Sequence, residues 1–464
     1  MNYQKSLSAF DSYENRHMRG SGGFIIIASL ILILSILRGL IVIFFDGALD
    51  STLIYNIVFS ACLVFTIYCF FDQQRLKYPQ TLRLFLYLNL MFYALWFVPE
   101  ILATQDLKFF LVCAVIPFTM FGFMKIPSKY FRRLLIFFLF VLSVTTIIDF
   151  VISNIPSLHL RDYREQLRVM INPTQIAPTR VGVLLRSVGL TGSEHETSCL
   201  LAMLLAFVLA LKEKYISKKM RLITFYLGLI AIFCTLSTSN TVVSMVSIIL
   251  ITFYYFRKKQ YFQPLLIAAP MVIIIFYFSL SLQKVDGQVN LIDDLNIIDA
   301  LWLKISPTTG DWGTILTLSV DDSRPAEAGT LVCYYWQDNC SYIFNEFGSL
   351  LIGHEGATQM GEFGRITEIG LLRMMWETGL TSFLCFLLML LFPLLLYFNS
   401  DNFTRISMFP YFCAITTGIF TLLHYGALFR TSNIFLFYAL YGACIRQYII
   451  SLNFKRKFID KATQ

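Results

Sequence analysis

Apolar stretches of about twenty residues recur along the whole chain, separated by short polar breaks. A helix needs about 20 residues to cross a bilayer core of roughly 30 Å, with its backbone N–H and C=O groups bonded inside the segment. The pattern predicts about twelve transmembrane helices, at 24–45, 51–71, 82–103, 107–124, 131–153, 196–211, 222–238, 240–256, 262–283, 366–397, 406–423 and 430–450. The expected fold class is an all-α polytopic membrane protein, with 1–464 as a single transmembrane domain. No small-residue cleavage site follows a short apolar core near the start, so the first span is expected to stay as an anchor.

The polar breaks are unequal. Two long ones, 154–195 and 284–365, carry clusters such as "IIDALWLKI", "TLVCYYW" and "YIFNEF". Long connections without a core of their own are usually functional or disordered. These hold enough Leu, Ile, Trp and Tyr to predict ordered periplasmic caps over an outward-facing cavity. With both termini inside, most of the 37 Lys and Arg residues fall in the short cytoplasmic connections and tails. That is the positive-inside arrangement.

Composition agrees. Charged residues make up 14% of the chain, against about 25% in soluble proteins. The net charge of +8 then reports orientation and contact with anionic lipid, and no nucleic-acid partner is expected. All cysteines but Cys333 and Cys340 sit in or at the edges of apolar spans, where a thiol is a small packing residue. Cys333 and Cys340, in "CYYWQDNC", face outward and are a candidate disulfide, with two free thiols as the alternative. No histidine pair has ligand spacing, so neither a metal nor a cofactor is expected.

Candidate chemistry gathers on the outer side. The basic residues of 154–195 are all arginine: Arg161, Arg164, Arg168, Arg180 and Arg186. Arginine presents a planar fork that grips phosphate oxygens in pairs. "LRDYREQLR" reads as a solvated helix with Arg161 and Glu165 paired. Arg180 and Arg186 adjoin the sixth span and are the better anion holders. Within "RSVGLTGSEHETS", 186–198, Gly189 and Gly192 let the backbone turn before Glu194, His195 and Glu196. Those carboxylates either answer a helix macrodipole or serve, with the imidazole, as proton acceptors. The polar stretch "CTLSTSNTVVS", 234–244, is either a tight outer turn or the lining of a wet site.

In the second long loop, His354 and Glu355 lie between Gly353 and Gly356, and Arg324 lies upstream. Glu362, Arg365 and Glu368 are spaced by three and share a helical face. Arg373 and Glu377, inside the tenth span, form an internal ion pair or face a polar interior. Arg430 is a further outer-face arginine. Arg38, inside the first span, reaches the outer interface or pairs within the bundle.

"RSVGLTGSEHETSCLLA", "LSTSNTVVSMVSIILI" and "LIGHEGATQM…ITEIGLLRMMWETGL", on a twelve-span plan with large third and fifth outer loops, resemble the Wzy family of O-antigen and exopolysaccharide polymerases. The motif resemblance covers about residues 180–380. It implies a GT-C-like bundle in the bacterial inner membrane and a metal-independent glycosyltransferase. Its substrates would be oligosaccharide repeats on undecaprenyl pyrophosphate, with a chain-length regulator as a further partner. The implied roles are pyrophosphate binding by Arg180, Arg186, Arg365 and Arg430, and proton transfer by Glu194, His195 or Glu368. Sugar contacts would come from Arg324, His354 and Glu355. Related O-antigen ligases place a histidine before the span that starts near Ile366, where this chain has Arg365 and Glu368.

Three other classes remain open. A ligase would need lipid A–core as acceptor. A lipid-linked oligosaccharide flippase would be built from structural repeats with a midplane site. A polytopic sensor needs no reaction at all.

Overall fold

The computed structural model describes residues 22–45, 119–154, 184–212, 215–257, 370–422 and 431–459, with Arg180, Val181 and a few isolated positions. The expected spans at 82–103 and 262–283, most of those at 51–71 and 107–124, and the cap 284–365 lie outside the described residues. What is described is almost wholly helical. In chain order the helices are α1 (Gly22–Ile36), α2 (Arg38–Phe44), α3 (Ser128–Asn154), α4 (Glu194–Ala210), α5 (Lys218–Cys234), α6 (Thr238–Arg257), α7 (Gly370–Phe398), α8 (Asn402–Thr421) and α9 (Thr431–Ile459). One antiparallel ladder interrupts them, β1 (Arg180–Val181) on β2 (Leu184–Leu185).

Helix α4 is the centre of the bundle. Apart from His195, all its residues are buried, and it packs against α3, α5, α6, α8 and α9. A helix that is apolar all round belongs in a protein core or in lipid, and the apolar run "CLLAMLLAFVLA" is buried on every side by its neighbours. Helix α3 is different. Phe131, Leu135, Phe138, Leu139 and Leu142 make a buried stripe at helical spacing, while Tyr130, Phe137, Phe140 and Ile148 are exposed. Both faces are apolar, so the exposed one suits lipid and not water. Ile249, Leu250 and Phe253 on α6 and Leu388 and Phe398 on α7 extend this exposed apolar surface.

Two described helices are long and apolar enough to cross a membrane, Ser128–Asn154 and Ser432–Arg456. A third span is formed if α1 and α2 count as one, although they meet at 79°. Over the span expected at 24–45 the chain forms two helices that break at Leu37, just before Arg38. Buried hydroxyls bond back along their own helices, Ser143 Oγ to the Leu139 carbonyl and Thr146 Oγ1 to that of Leu142, each at 2.6 Å. This satisfies polar groups where no water reaches.

The helix ends opposite the site are tied by side chains. The Ser217 hydroxyl caps α5 by accepting from the Met220 N–H. Asp401 caps α8 by accepting from the Phe403 N–H at 3.1 Å. Arg405 donates to the carbonyls of Tyr397 and Phe398 at the end of α7.

Candidate functional site

The site is built on the chain between α3 and α4. The β1–β2 ladder pairs Arg180 with Leu185, and a single 3-10 turn, Gly189–Thr191, then leads to α4. Gly189 and Gly192 have φ of 54° and 74°, a region that costs other residues steric strain. The expectation that these glycines turn the backbone is met. Thr197 closes the turn by donating from Oγ1 to the Val188 carbonyl at 2.7 Å, and its hydroxyl lies 2.8 Å from that of Thr191.

Arg186, Glu194 and His195 come together. Arg186 Nη1 is 3.5 Å from Glu194 Oε1, and His195 Nε2 is 3.7 Å from the same oxygen. The carboxylate is 2% exposed, whereas the guanidinium and imidazole keep 23% and 24% of their surface open. One buried negative charge therefore sits behind two half-open cationic or protonatable groups. The Arg186 contact is at the long limit of a hydrogen bond and the His195 contact is beyond it, so the three groups are neighbours in a loose cluster.

The turn between α5 and α6 covers the other side of His195. Ser237 Oγ is 3.4 Å from His195 Nδ1. Asn240 Nδ2 donates to the His195 carbonyl at 3.2 Å and to Ser198 Oγ at 2.7 Å. Leu236, just before Ser237, has φ of 51°, a strained conformation for a branched side chain. Residues 235–237 form the tight turn that was one of the two readings of 234–244, and Ser237 and Asn240 beside it are buried against His195 and Ser198.

Glu196 has a different job from its neighbour. Its Oε2 is 3.1 Å from Arg38 Nη2, and its Oε1 accepts from the Ser432 N–H at 3.0 Å. Arg38 also donates to the Thr191 carbonyl, and Ser432 Oγ donates to the Ser35 carbonyl at 2.7 Å. A carboxylate at a helix N-terminus is favoured by the macrodipole; here Glu196 serves the start of α9 and not only its own helix. Arg38 pairs inside the bundle.

Asp149, which the sequence did not single out, ties the strip next to Arg186 to α3. Its Oδ2 accepts from Ser187 Oγ at 2.7 Å, Val188 N at 2.8 Å and Gly189 N at 3.2 Å. The one available signal was an acid inside a span expected to be apolar.

Arg180 is placed through its backbone alone. Arg324, Cys333, Cys340, His354, Glu355, Arg365, Glu368 and Arg430 lie outside the described residues. Among the described residues, no group of three His, Cys, Asp or Glu side chains is placed to hold a metal ion. No protein-family model matches the chain, and no curated protein is a detectable relative.

Chemically, the cluster offers a cation for an anion, an imidazole and carboxylate for a proton, and hydroxyls for hydrogen bonding. All sit near the N-terminal end of the buried helix α4.

Proposed function

We propose that the protein is a Wzy-type polysaccharide polymerase of the bacterial inner membrane, with about twelve spans in a GT-C-like bundle and both termini in the cytoplasm. It transfers a growing glycan from undecaprenyl pyrophosphate to the non-reducing end of a fresh lipid-linked repeat, at the outer face. The observation that carries the reading is the meeting of Arg186, Glu194 and His195 where α4 begins.

In the reaction, a hydroxyl oxygen of the acceptor sugar attacks the anomeric carbon of the donor glycan. The bond from that carbon to the pyrophosphate oxygen breaks, and undecaprenyl pyrophosphate leaves with the electron pair. Arg186 faces the developing charge, with Arg180, Arg365 and Arg430 as further candidates; fixed donors aimed at such charge are a large source of catalysis. The hydroxyl proton passes to His195, whose ring is the more open of the two acceptors, with Glu194 behind it and Glu368 as the alternative acid. Lipid tails lie along the exposed apolar faces of the helices. The caps 154–195 and 284–365 hold sugar, through Arg324, His354 and Glu355. A chain-length regulator is a compatible partner.

Reconstitution of the purified protein with lipid-linked repeat, and no other acceptor, tests the proposal. A ladder of products supports it. Transfer seen only when lipid A–core is added, or movement of substrate across the bilayer without new bonds, would replace it with ligase or flippase activity.

A further inference from the structure

Both flanks of Arg186 are tied to the last turns of α3. On one side, the Leu185 N–H donates to Asn154 Oδ1 at 2.8 Å, and Asn154 Nδ2 donates back to the Leu185 carbonyl at 2.9 Å. One side-chain amide thus closes a two-bond ring, as a neighbouring strand would. On the other side, Asp149 Oδ2 gathers the Ser187 hydroxyl and the N–H groups of Val188 and Gly189. The Ser187 N–H also donates to the Cys234 carbonyl at 3.0 Å, which ties the strip to α5.

These ties matter because the strip has little structure of its own. It holds a two-residue strand and one 3-10 turn, too little to fix a long side chain. Hydrogen bonds to an ionised carboxylate are about twice as strong as neutral ones. Asp149 spends its bonds on backbone and hydroxyl next to Arg186, and Asn154 spends its own on the preceding residue.

We propose that Asp149 and Asn154 are positioning residues, a mount on α3 that holds the backbone on both sides of Arg186 and so keeps its guanidinium beside Glu194 and open outward. The inference rests on the anion role given to Arg186 above. A preorganised cation is effective because it needs no rearrangement as charge develops. A loose strip would leave the same charge in the protein but not in one place.

The test uses the full chain in detergent micelles, with inorganic pyrophosphate as probe and amide hydrogen exchange at 185–189 as a second readout. Asp149→Ala should weaken pyrophosphate binding about tenfold or more and speed exchange at Val188 and Gly189. Asp149→Asn, which keeps one acceptor oxygen, should recover part of both. In an Arg186→Ala background, Asp149→Ala should cost binding nothing further, because residues that act through one another are not additive. Equal losses on both backgrounds, or unchanged exchange at 187–189, would overturn the inference. If Asp149→Ala does not fold, Asp149→Asn and Ser187→Ala carry the same comparison. Wild-type binding by Arg186→Ala, with exchange still faster in the Asp149 variants, would instead sink the anion reading and leave the mount standing.

Discussion

Arg38 and Glu196 stand 158 positions apart in the chain and meet as an ion pair of 3.1 Å, each side chain 3% exposed. The pair joins the break in the first span, the turn before α4 and the start of α9 through Thr191 and Ser432. It acts as a junction of three elements, placed one helical step from the pair Glu194–His195.

Removing one partner leaves the other charge buried, at a cost of about 3–5 kcal/mol. Glu196→Gln and Arg38→Met are each expected to lower the unfolding temperature sharply in micelles. The combined change Arg38→Met with Glu196→Leu should recover much of the loss, since apolar replacements of similar size tolerate such sites. A single variant with wild-type unfolding would contradict the junction role.

Gly39 makes a second prediction. A Cβ there would overlap the backbone carbonyl of Leu190, which has no free rotamer to yield. Gly39→Ala should therefore push α2 and the 3-10 turn apart, costing about 1–3 kcal/mol, and should lower turnover along with stability. Thermal unfolding and initial rates on the same preparation check this, and a neutral effect on both would show the contact to be slack.

The legible part of the site was the local part. Arg186, Glu194 and His195 lie within ten residues, and an arginine and two acids before an apolar run announce themselves. Arg38 and Glu196 were visible as charges that needed partners, but nothing in their spacing says that they are each other's. Asp149 showed only as an acid inside an apolar span; its partners are mainly backbone N–H groups about forty residues away, and backbone donors have no sequence signature. Seven helices, α3–α9, fall close to expected spans because each apolar run is bounded by polar residues. The break at Leu37 falls within an apolar run, where hydropathy continues across the bend.

In the proposed reaction His195 takes the proton, and Ser237 only contacts its ring, at 3.4 Å. A positioned general base contributes about 10²–10⁴-fold, so His195→Ala should lower kcat by about 10²-fold or more. Ser237→Ala removes one neutral contact and should cost about tenfold, near the upper end for a single hydrogen bond. Steady-state rates with purified lipid-linked repeat distinguish the two. Equal losses would show that the hydroxyl does more than hold the ring.

Asp401 sets a pH dependence away from the site. Desolvation pushes its carboxyl up, but hydrogen bonds from Lys455, Thr404 and the Phe403 N–H, together with the Lys455 charge, hold it below its ordinary value of 3.8. A carboxylate lowered on folding contributes fully above that ordinary value, and its contribution fades as pH falls through the lowered one. Loss of such a helix cap costs about 0.5–2 kcal/mol, and the exposed pair with Lys455 adds little. The gap in unfolding temperature between wild type and Asp401→Ala should be present at pH 7 and shrink below pH 3.8. A gap that grows in acid would reverse the sign.

The central claim is that Arg186 stabilises a departing diphosphate. Wild type, Arg186→Lys and Arg186→Ala compared in one set of proteoliposomes, scored for glycan ladders from lipid-linked repeat, test it most directly. The account predicts a full ladder for wild type, a shortened one for Arg186→Lys and none for Arg186→Ala, with all three inserted and folded. A full ladder from Arg186→Ala would contradict it.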